Sequence, residues 1–246
     1  MRFAAIADIH GNHLALEAVL EDIATLGVTD IVNLGDIFSG PIDAGKTAAI
    51  LAPLNLPTVR GNHDRALIEE QPDAFGDWER PAYPLLRRED FDWIGQLPLT
   101  LVFADEVLLC HATPESDSVA WLETLTPEGY FRLSDRDYIE RQAAGVDYPL
   151  ILCGHTHVQR AVTLSDGRLV VNPGSVGCPG FAYHKPWEHR LEQGAPFACY
   201  AILEKTTHGW QPTFQQVAYD HLAAAELARQ QGFDTWARVL STGWAG

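Results

Sequence analysis

Five short segments dictate what this chain can become: Asp8-Ile-His10, Gly35-Asp36, Gly61-Asn62-His63-Asp64, Cys110-His111 and Gly154-His155-Thr156-His157. Each follows an apolar run that reads as a β-strand, so each falls where a strand ends and a loop begins. Together they offer two Asp, one Asn and four His as oxygen and nitrogen donors, with one further His. Such a set can hold two divalent metals about one bridging carboxylate. Chemistry on phosphate esters is what such a pair does best.

The first third alternates strand and helix. Phe3 to Ala7, Asp30 to Leu34 and Leu56 to Val59 read as strands, Asn12 to Leu26 and Ala44 to Leu54 as helices. Strands separated by helices of this length imply parallel neighbours with helical crossovers. In such sheets ligands bind beyond the carboxyl ends of the strands, where the motifs fall. Val107 to Leu109, Leu150 to Cys153, Gln159 to Leu164, Arg168 to Val171, Ala198 to Leu203 and Trp210 to Ala218 read as further strands, joined mostly by turns. They predict a second, more antiparallel sheet facing the first. The expected class is therefore α/β, two facing mixed β-sheets flanked by helices. One domain is predicted over residues 1–246, with helical or irregular insertions at about 65–104 and 113–149. Asp220 to Thr242 reads as a helical tail broken at Gly232.

At 246 residues the chain can bury a sizeable core. Its net charge of −16 argues against extended contact with nucleic-acid backbone or anionic lipid, since either needs a basic surface. Fixed metals can still reverse the sign locally and admit an anion. No apolar stretch approaches a membrane span. Cys110, Cys153, Cys178 and Cys199 form no C-x-x-C pair and read as buried free thiols of a reducing compartment. The first strand begins at once, leaving no room for a cleaved leader, and a cytoplasmic location is expected.

Asp36 is the natural bridge, because Gly35 lets the backbone turn sharply as its strand ends. Asp8 and His10 lie two apart, so an extended segment projects both to one side, and His155 and His157 repeat that spacing. Asn62 supplies an amide oxygen and His111 an imidazole. A single Asp-x-His is usually a turn or cap, and a single His-x-His is more often structural. Their joint position at strand ends defeats those readings.

The order D-x-H, G-D, G-N-H-D, H and G-H-T-H resembles the calcineurin-like metallophosphoesterase superfamily, and within it the YfcE-like bacterial branch. The chain also shares Gly11-Asn12, Asn172-Pro-Gly-Ser-Val-Gly177 and Tyr200-Ala-Ile-Leu203 with that branch. The resemblance implies one metal on Asp8, His10, Asp36 and His157, and another on Asp36, Asn62, His111 and His155. It implies two divalent ions, with Mn²⁺ first and Fe, Zn, Co or Ni able to substitute, since mixed N/O sites accept each. It further implies hydrolysis of a small-molecule phosphodiester or dinucleoside polyphosphate by a metal-bridging hydroxide. His63 then protonates the leaving group, and Asp64 orients its ring or caps the helix that follows. The alternatives are a phosphomonoesterase or protein phosphatase, or a protein-binding scaffold on the same fold. The last is disfavoured because His63 and all seven candidate ligands are present. Protein substrates lose support because Gly35-Asp36-Ile-Phe-Ser-Gly-Pro41 replaces the Asp-Arg-Gly turn of the Ser/Thr phosphatases.

Arg60 and Arg65 flank the G-N-H-D motif and are candidates for a phosphate oxygen. Residues 178–196 replace a shorter turn of the relatives and place Tyr183, His184, Lys185, Trp187, His189 and Arg190 near the expected cleft mouth. A surface loop is the simpler reading of this segment. A substrate-selecting rim is the sharper one, since aromatic and cationic groups suit a nucleotide.

Overall fold

Strict alternation in the first strand sets the layering. A computed structural model describes residues 1–184 and 186–246. In β1 (Arg2–Ile6), Phe3 and Ala5 face a facing sheet while Ala4 and Ile6 face helices, as a period of two requires. The chain then runs through α1 (His13–Thr25) into β2 (Ile31–Asn33), which pairs parallel with β1. Asn12 caps α1, its side-chain oxygen accepting from the Ala15 N–H at 3.2 Å. The next helix, α2 (Ala44–Leu51), stops three residues before the expected Leu54, because Pro53 has no N–H to continue the ladder. Leu56 to Val59 forms no strand, contributing a single parallel bridge between Asn33 and Thr58.

The last two strands, β12 (Ala198–Thr206) and β13 (Gly209–Val217), close this first sheet rather than joining the second. β12 lies antiparallel on β1, with Phe3 opposite Leu203, and the order is β13-β12-β1-β2. The second sheet comprises β3 (Thr100–Phe103), β4 (Val107–Cys110), β7 (Leu150–Leu152), β8 (Arg160–Thr163) and β9 (Leu169–Asn172). Its order is β3-β4-β7-β9-β8. The three central strands are parallel and only the edges antiparallel, which corrects the more antiparallel sheet expected. Burial explains this. Leu108, Cys110, Ile151 and Val170 pack outward on Trp121, Leu122 and Ile139, while Leu109, Leu152 and Val171 pack inward on Phe3, Val32 and Leu203. Strands buried on both faces suit parallel pairing.

The insertions divide by chemistry. Residues 65–104 supply most of α3 (Asn62–Glu69), then α4 (Glu79–Ala82), a 3₁₀ turn, α5 (Arg88–Ile94) and strand β3. Residues 113–149 hold the hairpin β5 (Glu123–Leu125)–β6 (Phe131–Leu133) as well as α6 (Arg136–Gln142). Residues 178–196 form a second hairpin, β10 (Gly180–Tyr183) with β11 (His189–Glu192), instead of an irregular loop. The tail folds as α7 (His221–Gln230) and α8 (Asp234–Thr242), broken at Gly232 as expected.

Candidate metal centre

The carboxyl ends of β1, β2, β4 and β7 converge, and the chain leaving each turns abruptly. Among the described residues, eight non-glycines have positive φ, and five of them are Asp8, His10, Asp36, His155 and His157. That region is sparsely populated outside glycine, although Asp and His enter it more readily than most. Close packing holds these turns. A Cβ on Gly61 would sit 2.1 Å from Oδ1 of Asp36, and one on Gly177 1.7 Å from the Ile9 carbonyl.

The turns deliver two groups of donors: Asp8, His10 and His157 in one, Asp36, His111 and His155 in the other. Donor atoms within each group lie within 4.8 Å of one another. Asn62 joins the second, its Oδ1 3.2 Å from Nε2 of His111. Oδ2 of Asp36 stands between the groups, 3.2 Å from Nε2 of His111 and 4.0 Å from Nε2 of His10. All seven sequence-predicted candidates are thus gathered at one place.

Outer contacts orient the rings. Nδ1–H of His111 donates to the Leu34 carbonyl at 2.7 Å, and Nδ1–H of His157 to the Cys178 carbonyl at 3.0 Å. Nδ1 of His10 bonds Ser39 Oγ at 2.9 Å. Each Nε2 is left toward the centre, the arrangement that prepares imidazoles for a cation. Nε2 of His10 and Nε2 of His157 then meet at 3.1 Å. Burial and the Asp36 charge push the Asp64 carboxyl up to about 6. Burial and the His111 charge push His155 down to about 4. For His111 burial is opposed and overcome by Asp36, which carries the ring up to about 9. Buried carboxylates this close call for cations, and N/O donors of this kind fit two divalent ions.

His63 lies at the start of α3, its backbone N–H donating to Oδ1 of Asp36 at 3.0 Å. Asp64 does not orient its ring. Its carboxylate accepts instead from the backbone N–H groups of Asp36 (2.8 Å), Ile37 (2.9 Å) and Gly61 (3.0 Å), because the third position of a helix points back over the first turn. Glu79, 6% exposed, accepts from Nδ1–H of His63, and Trp78 stacks on the ring at 4.7 Å and 20°. Sequence reasoning missed both, since neither stands in a motif. The carboxylate and indole side by side in an otherwise exposed stretch were the one available signal.

A cleft of about 240 Å³ opens over the centre, lined by Asp36, Asn62, His63, Trp78, Phe131, His155, His157, Phe181, Tyr183 and His189 among others. Tyr183 and His189 therefore reach the cleft as expected. His184 instead lines a neighbouring cavity, and Lys185 lies outside the described residues. Trp187 bonds Thr126 and Arg190 lies over Tyr130, both on the β5–β6 side. Arg60 faces Glu69 at 3.9 Å and Arg65 pairs with Asp117 at 2.7 Å, so neither arginine enters the cleft lining. Behind the cleft, the buried Glu123 accepts from Thr156 Oγ and Arg160 Nε, while Asn172 Nδ2 donates to Thr156 Oγ at 3.0 Å. This network grips the turn between His155 and His157.

The sequence model of the calcineurin-like phosphoesterase superfamily domain matches residues 1–186. The chain belongs to that superfamily, a class of hydrolases that use divalent metals. Among individual proteins, it is 30% identical over 198 residues to the uncharacterized protein MJ0912 of Methanocaldococcus jannaschii, covering 72% of this chain and 76% of the other. A metallophosphoesterase structure from Sphaerobacter thermophilus superposes with TM-score 0.75 at 26% identity, covering 99% of this chain and 100% of that one. The hypothetical protein PH1004 from Pyrococcus horikoshii OT3 gives TM-score 0.75 at 21% identity, covering 100% and 99%. The fold thus extends over the whole length. No helix among the described residues is long and apolar enough to cross a membrane.

Proposed function

We propose that this chain is a dinuclear phosphodiesterase acting on small-molecule esters, with Asp8, His10, Asp36 and His157 holding one ion and Asp36, Asn62, His111 and His155 the other. The observation that carries the reading is Oδ2 of Asp36, lying between two separate donor groups. Two divalent ions there would supply charge neutralisation for phosphoryl oxygens and a lowered pKa for water.

The protein's own part is acid catalysis and water exclusion. With Nδ1 of His63 engaged by Glu79, Nε2 is the ring nitrogen available to a ligand, and it would give its proton to the departing oxygen. Burial, the largest influence on His63, lowers its pKa, but the Asp36 charge and the Glu79 bond together outweigh burial and raise it. That favours the protonated form of the acid. Trp78 and Phe181 shield the reacting side from bulk water. The superfamily match and the metallophosphoesterase from Sphaerobacter thermophilus support hydrolysis. Four free, buried cysteines favour a cytoplasmic setting, and the net charge of −16 disfavours extended nucleic acid.

The test pairs elemental analysis with turnover of matched aryl monoester, aryl diester and dinucleoside polyphosphate substrates in Mn²⁺. Two ions per chain and fastest turnover of the diester are expected. Two ions without turnover of any ester would overturn the enzymatic reading.

A further inference from the structure

We propose, building on the phosphodiesterase reading, that the cleft selects esters carrying a planar aromatic ring, with Phe181 and Phe131 determining that specificity. Phe181 stands beside the candidate ligand His157, ring centroids 5.4 Å apart at 80°. Around it lie Trp78 at 6.1 Å and 73°, Phe131 at 5.9 Å and 77°, and His189 at 6.2 Å and 89°. All four neighbours meet it edge-on, so among the described residues no ring stacks in parallel on Phe181. Elsewhere in this cleft the protein does stack rings, His63 on Trp78 at 20°. The pleat of β10 sends Phe181 and Tyr183 to the same side, so the wall runs outward from the centre to a half-exposed tyrosine.

Charge and size narrow the ligand. Among the described residues the cleft lining contains no Lys or Arg, so of these residues no ammonium or guanidinium stands beside a polyphosphate chain. The cavity on the far side of Trp78, Phe181 and Tyr183 carries Asp77 and Asp234, which repel further phosphates. A volume of about 240 Å³ beside the centre holds a phosphate and one ring system. A phosphodiester brings one negative charge and, on one ester oxygen, the ring that Phe181 lacks. The ring comes either as a bare aryl group or as a nucleobase carried on its sugar.

Calorimetric titration of the Mn²⁺-loaded protein separates these. The probes are the monomethyl esters of methylphosphonate and phenylphosphonate, and thymidine 5′-methylphosphonate, each a monoanion. One or both ring-bearing probes should bind roughly 10-fold or more tighter than the methyl probe, a ring-stacking effect. Phe181→Leu and Phe131→Leu, which keep apolar bulk, should erase most of that ratio. A gain for thymidine alone assigns the ring to a nucleobase, and an equal gain for phenyl shows that a bare ring suffices. Equal affinities for all three probes would overturn the inference. Turnover of bis(4-nitrophenyl) phosphate is measured on the same preparation. Ring-selective binding without that turnover would sink the phosphodiesterase reading and leave the aromatic selection standing.

Discussion

Glu79 accepts a hydrogen bond from Nδ1 of His63, while Asp64, next to that histidine in the chain, faces away from it into the backbone. The two acidic groups thus have separate tasks. One adjusts a proton donor and the other holds the turn that presents Asp36.

His63→Ala should lower kcat about 10²–10⁴-fold, the usual worth of a positioned acid, with metal content unchanged. Glu79→Gln keeps a hydrogen-bond acceptor but removes the charge that helps raise the pKa of His63. The protonated acid is then lost at lower pH, so the alkaline limb of the kcat profile should move to lower pH. An alkaline limb that stays in place would separate Glu79 from the proton donor.

Asp64→Asn leaves one oxygen where a carboxylate met three backbone N–H groups. Each buried N–H left unpaired costs about 1–3 kcal/mol, so thermal unfolding should show a clearly lower Tm. The alkaline limb assigned to His63 should not move. A shift there with unchanged Tm would restore Asp64 as the partner of the ring.

Gly61→Ala tests the seat of the bridge. The backbone there is ordinary, with φ −89°, so the substitution acts through space alone, against Oδ1 and the backbone N of Asp36 at 2.1 and 2.5 Å. Metal affinity should fall about 10-fold or more, as when a ligand's support is disturbed. Equilibrium dialysis against Mn²⁺ would read it, and unchanged affinity would remove Asp36 from the ion's coordination.

Glu123→Gln keeps one oxygen for Arg160 Nε but puts an NH2 in place of the oxygen that accepts from Thr156 Oγ, and removes the charge that pairs with Arg160. The turn between His155 and His157 loosens, and metal affinity should drop about 10–100-fold while His63 keeps its pH dependence. Glu123→Ala with full metal affinity would show the network to be structural only.

The candidate ligands were legible because strand ends of an α/β sheet share an edge, so five segments spread over 150 positions announced one place. The cap of α1 at Asn12 is equally local, since its partner Ala15 lies three residues on. What could not be read depended on partners remote in sequence. β12 joins the first sheet through pairing between Phe3 and Leu203, a choice made by the buried face of β1. Glu79 and Trp78 acquire their roles only when α4 folds back on α3, and nothing in their own spacing marks them. The 178–196 stretch shows the middle case. Phe181 and Tyr183 alternate as a strand does, but Pro179 and Pro186 on either side masked that pattern.

Left-handed backbone at five of the donors has a consequence for how the protein acquires its ions. Close packing of the turns, as at Gly61 on Asp36 and Gly177 on Ile9, meets Asp8, His10, Asp36, His155 and His157 in conformations worth roughly 1–3 kcal/mol of strain each. Chelation should accordingly leave circular dichroism and shape intact, and return of Mn²⁺ should restore activity without a slow refolding phase.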